Sequence, residues 1–188
     1  MSENNDLSSD TENKVALYYQ NKLWWTMQQI KFESYYFEKY SKFYSAIDKY
    51  TNVIIGIITI IATGALVSWS RFGFLQITCP SIIVIAQLAR SIIDMLSLNT
   101  KEKKFRTASW KLRAVYCTLE QAWERVLEQE ITLREIKAIL NNSLRMEDSI
   151  SKKYLEDDHF PEKKRIIKWA ENETKEYFNK LLQNMGVE

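Results

Sequence analysis

Thr51–Ser70 reads TNVIIGIITIIATGALVSWS, twenty residues without a charge. An α-helix of about 20 apolar residues crosses a bilayer core about 30 Å thick. The competing reading is a helix buried in a soluble core. It fits poorly, because this run is apolar on all faces and a second run follows. Phe72–Ala89 (FGFLQITCPSIIVIAQLA) adds eighteen uncharged residues, and apolar character continues to Leu98. Two spans are expected, at 51–70 and 74–98. The connector at 71–73 is short enough to join only antiparallel neighbours, so the spans form a hairpin.

Flanking charge gives the orientation. Lys39, Lys42 and Lys49 precede the first span, and Lys101, Lys103, Lys104 and Arg106 follow the second. The connector offers Arg71 alone. Cytoplasmic flanks carry the Lys/Arg excess, which puts both termini inside. Trp69, Phe72 and Phe74 suit an interfacial aromatic belt. Thr59 with Thr63, and Gly64 with Ser68, are small-xxx-small pairs that permit close helix approach in lipid. Pro80 falls near the outer start of the second span, where a first-turn proline costs little.

Polar residues in the second span have two readings. Gln87, Arg90 and Asp94 share a helix face by their 3–4 spacing. As a stripe facing protein or water they would line or gate a pore, together with Thr59 and Thr63 of the first span. If the hydrophobic stretch instead ends at Ala89, Arg90 and Asp94 lie in the headgroup zone, with Arg90 snorkelling.

The rest of the 188 residues is polar enough to bring mean hydropathy down to −0.33. Four Gly and two Pro are too few for a turn-rich fold, so an all-α chain is expected. A net charge of +2 gives no global basic field for duplex DNA. Cys79 and Cys117 sit in unrelated contexts, and His159 is the one histidine. Neither a zinc site nor a disulfide framework is expected. There is no Gly-rich phosphate loop, no HExxH and no Ser/His/Asp order, so no enzymatic activity and no cofactor are expected.

Residues 1–13 are polar and acidic, with Glu3, Asp6, Asp10 and Glu12, and read as a disordered tail rather than a signal peptide. Residues 14–50 lack Gly and Pro and read as an aromatic-rich helix running into the first span. Leu23, Met27, Ile30 and Phe37 mark its packed face. The aromatics exceed what one face holds. Core packing with an interfacial belt accounts for many of them. Alternatively Trp24 or Trp25, near basic residues, stacks on a nucleobase.

Residues 99–156 carry a heptad seam, read as one long coiled-coil-like helix. Leu112, Leu119, Val126, Leu133 and Leu140 take position a; Val115, Ala122, Gln129, Ile136 and Ser143 take position d. A break follows at 157–161, and a final helix spans 162–183. Basic and aromatic residues gather where the chain leaves the second span: Lys101, Lys103, Lys104, Arg106, Trp110, Lys111 and Arg113. Positive-inside topology and anionic lipid explain such a cluster. A phosphate site completed by Lys22 and Lys31 is the other reading.

This layout resembles the SLATT group of bacterial effectors, the SMODS- and SLOG-associating two-transmembrane proteins. The resemblance rests on YYQNKLWWTMQQIKFESYYFEKYSKFYSAIDKY, on TNVIIGIITIIATGALVSW with SIIVIAQLARSIIDML, and on KFRTASWKLRAVYCTLEQAWERVL. It covers about Lys14–Leu127 and is architectural, without a catalytic motif. It implies a membrane-perturbing effector of an anti-phage, abortive-infection system. Such an effector answers a cyclic nucleotide or short oligonucleotide messenger made by a partner nucleotidyltransferase. No separate nucleotide-sensing domain is attached here, so sensing would use the helices or a partner protein. One hairpin cannot enclose a conduit, so a pore requires a homo-oligomer, with a tetramer as the starting expectation. The alternatives are a non-conducting membrane adaptor that recruits a partner through its coiled coil, and a phage-type lysis protein. The long cytoplasmic region argues against the last.

Overall fold

The computed structural model describes residues 3–67, 84–85, 87–88, 90–91, 97–155 and 163–185. Four helices are named among them: α1 (Glu3–Val67), α2 (Leu98–Leu127), α3 (Leu133–Leu155) and α4 (Lys164–Asn184). Residues 84–85, 87–88 and 90–91 are also helical, and no strand occurs among the described residues. The fold is all-α.

The chain divides into two compact units. One comprises Met1–Lys39 with Lys104–Glu188, and the other Tyr40–Lys103.

In the first unit, α1 buries Leu23, Met27, Ile30, Ser34 and Phe37, the 3–4 face expected of an amphipathic helix. α2 answers with Phe105, Ala108, Leu112, Val115, Tyr116, Leu119 and Ala122. Each large aliphatic side chain so buried contributes roughly 1.5–3 kcal/mol. Small residues bring the two backbones together, and the Ser109 hydroxyl donates to the Ser34 carbonyl at 2.8 Å. Phe37 and Phe105 stack at 6.0 Å. α3 buries Ile136, Leu140, Ser143 and Ile150, and α4 buries Ile166, Ala170 and Phe178.

Two expectations are corrected. Residues 99–156 are not one helix. Gln129 takes a left-handed φ of 59° between α2 and α3. The Glu130 amide bonds the Arg125 carbonyl at 2.9 Å and the Gln129 amide bonds that of Val126 at 3.1 Å. That pair of bonds is a Schellman C-cap, here without its usual glycine. Thr132 and Glu135 then form a reciprocal capping box that starts α3. The Thr132 amide and hydroxyl donate to Glu135 Oε2 at 2.8 and 2.7 Å, and the Glu135 amide donates to Thr132 Oγ1 at 3.3 Å. Arg125 reaches across the turn to Glu135 at 3.0 Å. The seam positions Leu112, Val115, Leu119 and Ala122 are buried on α2, and Ile136, Leu140 and Ser143 on α3. The seam is therefore split between two helices joined by a turn.

The second correction concerns the amino-terminal segment. α1 begins at Glu3, inside the stretch expected to be a tail. Nothing in 3–13 breaks a helix, and acidic residues at a helix N-terminus suit its macrodipole.

In the second unit Tyr40, Ser41, Tyr44, Leu98 and Glu102 are buried. The Ser41 hydroxyl donates to Glu102 Oε1 at 3.3 Å. Ser97, with φ 50°, stands directly before α2. Val53, Ile54, Ile57, Ile60 and Ile61 on α1, and Val84, Ile85 and Leu88, are all more than half exposed. Among the described residues no helix is long and apolar enough to cross a membrane. Of the 51–70 run, Thr51–Val67 lies in α1. At 1.5 Å per residue that segment rises about 25 Å. Ser68–Ser70, the 71–73 connector, Pro80, most of the second run and the 157–161 break lie outside the described residues.

Candidate functional site

The residues expected to bind a ligand all belong to the first unit. The structure sorts them into those engaged within the bundle and those facing outward.

Trp24 points inward. Its ring lies 5.0 Å from that of Trp123 on α2 and 5.1 Å from that of Phe178 on α4. Such packing leaves little ring face for a base. Among the described residues the buried indole N–H of Trp123 finds no hydrogen-bond partner.

Lys31 is enclosed by tyrosines. Its Nζ stands 3.7 Å from the ring centroid of Tyr177, 4.0 Å from that of Tyr116 and 5.3 Å from that of Tyr35. A cation over ring faces at this range is attracted by their quadrupoles. Tyr116 and Tyr177 both donate to one oxygen, Glu120 Oε1, at 2.7 and 2.6 Å. The cluster joins α1, α2 and α4 and balances one half-buried positive charge with one negative. Burial holds the Lys31 pKa below its ordinary value, against the opposing pull of Glu120. Burial raises both tyrosine pKa values, that of Tyr177 to about 12. Lys31 is thus a structural cation, engaged with rings rather than open to a phosphate.

Arg113 forms a salt bridge with Glu38 of α1. Lys104 is half-buried, and Arg106 is exposed. Lys22 is exposed, as are Trp25 and Trp110, each at 68%. Arg106, Trp110 and Arg113 follow one α2 face at i, i+4 and i+7.

Trp25 is brought together with residues that the sequence did not single out. It lines a groove of about 490 Å³ with Gln28, Gln29 and Phe32 of α1. Glu171, Thr174, Lys175, Phe178, Asn179 and Leu182 of α4 complete the lining. Aromatic rings, three carboxamides and a lysine suit a planar heteroaromatic ligand: rings stack on its face, amides bond its edge, and the ammonium meets an attached anion. The spacing of 171, 174–175, 178–179 and 182 marks one face of α4, a signal present in the sequence.

Beside this groove Gln29 donates to Glu33 at 3.2 Å and to Glu147 of α3 at 3.4 Å. The two half-buried carboxyls therefore face each other across α1 and α3. Burial, and then the facing Glu147, push Glu33 up to about 7. Burial raises Glu147 too, helped by Asp148.

Of the expected pore residues, Thr59 is exposed and its hydroxyl donates to the Ile55 carbonyl at 2.8 Å. Gln87 and Arg90 are exposed. The Thr63 side chain and Asp94 lie outside the described residues. Among the described residues, no group of three His, Cys, Asp or Glu is placed to hold a metal ion. No protein-family model, curated protein or solved structure matches this chain.

Proposed function

We propose that this chain is the subunit of a homo-oligomeric, pore-forming membrane effector of a nucleotide-regulated bacterial anti-phage system. The observation that carries the membrane part is the row of exposed aliphatic side chains on α1: Val53, Ile54, Ile57, Ile60 and Ile61. Fully burying such a side chain is worth roughly 1.5–3 kcal/mol; these five are 51–73% exposed, so together they forgo about 4–9 kcal/mol. That is comparable with the net stability of a typical domain, about 5–15 kcal/mol. These residues require an apolar cover, and lipid supplies one to every face of a helix. Thr51 and Thr59 bond back to the carbonyls of Ile47 and Ile55, which removes the cost of a bare hydroxyl in lipid.

The helices of the first unit form the regulatory part in this reading. The Trp25 groove takes the base of the messenger, and its occupation biases the oligomer between closed and open states. The nucleotide class comes from the SLATT resemblance; the ring-and-amide chemistry of the groove supports it. The chain acts by permeation, not by catalysis.

Ion flux through liposomes carrying the purified protein tests this. It is measured without ligand and then with a panel of cyclic nucleotides and short oligonucleotides. Flux raised or suppressed by one of them supports a gated pore. Absence of flux under every condition, with insertion verified, replaces the pore with a membrane-anchored adaptor.

A further inference from the structure

A second cavity, of about 350 Å³, opens between α2 and α3. Lys111 and Ala114 line it from α2, and Arg145, Met146, Ser149 and Ile150 from α3. Two cations on different helices thus share one concavity. One turn away from Lys111 on α2 stand Thr107, Ala108, Ala114 and Val115, none of them acidic. Lys111 instead lies over the Tyr154 ring, 5.2 Å from its centroid. The acid one turn beyond Arg145 is Asp148, which Lys152 already holds at 2.8 Å. Among the described residues, neither Lys111 nor Arg145 takes part in an ion pair.

Like charges lining one concavity repel, and an anion between them reverses the sign of the interaction. The guanidinium offers two parallel donors that match phosphate oxygens, the ammonium adds a point charge, and the Ser149 hydroxyl is a third kind of donor. Met146 and Ile150 provide an apolar wall, and Ala114 is small enough to leave the floor open.

We propose that this cavity binds the phosphate of a phosphomonoester whose attached apolar group lies against Met146 and Ile150. The site is separate from the Trp25 groove and holds whether or not the chain conducts ions. The same headgroup chemistry occurs on soluble phosphate esters and on phosphatidic acid.

The full chain in neutral-detergent micelles is titrated calorimetrically with inorganic phosphate and with phenyl phosphate. Saturable binding is expected, tighter for phenyl phosphate. Arg145→Gln weakens it about tenfold, the loss of one charge-assisted contact. Ala114→Leu, which fills the floor and removes no charge, weakens phenyl phosphate more than inorganic phosphate. Arg145→Lys retains part of the affinity. Unchanged thermal unfolding of the unliganded variants shows that they are folded.

The lipid source is read separately, in phosphatidylcholine nanodiscs with and without phosphatidic acid. A rise in Tm with phosphatidic acid that Arg145→Gln abolishes, without soluble binding, identifies the lipid as ligand. Equal affinities for the parent, Arg145→Gln and Ala114→Leu overturn the site. So does the absence of any response in both arms.

Discussion

Replacing Glu33 by Gln should make this protein less sensitive to alkali and more stable above pH 7. Glu33 of α1 and Glu147 of α3 face each other, joined by the Gln29 carboxamide. The groups facing Glu33 are Gln29 on its own helix and Glu147 on α3, with Asp148 adding negative charge beside Glu147. The Glu33 pKa rises from an ordinary 4.5 to about 7. The folded state therefore holds more protons than the unfolded chain between those values. Stability is full below about 4.5 and falls as pH rises through 7. At 1.36 kcal/mol per tenfold the full change is roughly 3 kcal/mol. Solvent reaching the half-buried pair reduces that to about 1–2 kcal/mol. For a chain of this length, that moves Tm by roughly 2–8 °C.

The assay is thermal unfolding followed by circular dichroism at several values between pH 5 and 8.5, parent against Glu33→Gln. The readout is the difference between the two proteins. The variant should match the parent near pH 5 and exceed it at pH 8. Equal pH slopes, or a variant that is weaker at pH 8, would refute a Glu33 carboxyl held protonated by burial and by Glu147.

Other outcomes follow from the same structure. Trp24→Ala should cost about 3 kcal/mol in urea unfolding, because it empties the contact with Trp123 and Phe178, whereas exposed Trp25→Ala should cost under about 1 kcal/mol. Glu120→Ala leaves two tyrosine hydroxyls and the caged Lys31 without their carboxylate, and should destabilise the bundle by about 2–4 kcal/mol in the same assay. Thr132→Ala removes the α3 cap at a cost of about 1 kcal/mol. It should also raise Glu135, now held at about 2 by the Thr132 amide, the Thr132 hydroxyl and Arg125, part of the way toward 4.5 in a carboxyl NMR titration, because the amide and Arg125 remain. In the parent that contribution is present above about 4.5 and fades as pH falls toward 2.

Local pattern made several features legible. The buried face of α1 follows from Leu23, Met27, Ile30 and Phe37 alone, because a 3.6-residue period fixes which side chains point the same way. The exposed aliphatics of α1 follow from a run in which no polar face exists to turn toward water. The end of α2 was harder to read. No Gly or Pro marks it, and an unbroken heptad count runs straight through Gln129. Yet Thr132–Glu135 already spelled a capping box.

Only the tertiary structure decided the partners. Sequence placed Lys31 among basic residues available to a phosphate; the fold surrounds it with Tyr35, Tyr116 and Tyr177, drawn from three helices. It paired Arg113 with Glu38, turned Trp24 inward and Trp25 outward, and set Glu33 against Glu147. Helical period tells a residue which way to face along its own axis. Which helix waits there depends on where the chain turns between helices, and the left-handed Gln129 makes that turn with no Gly or Pro to mark it.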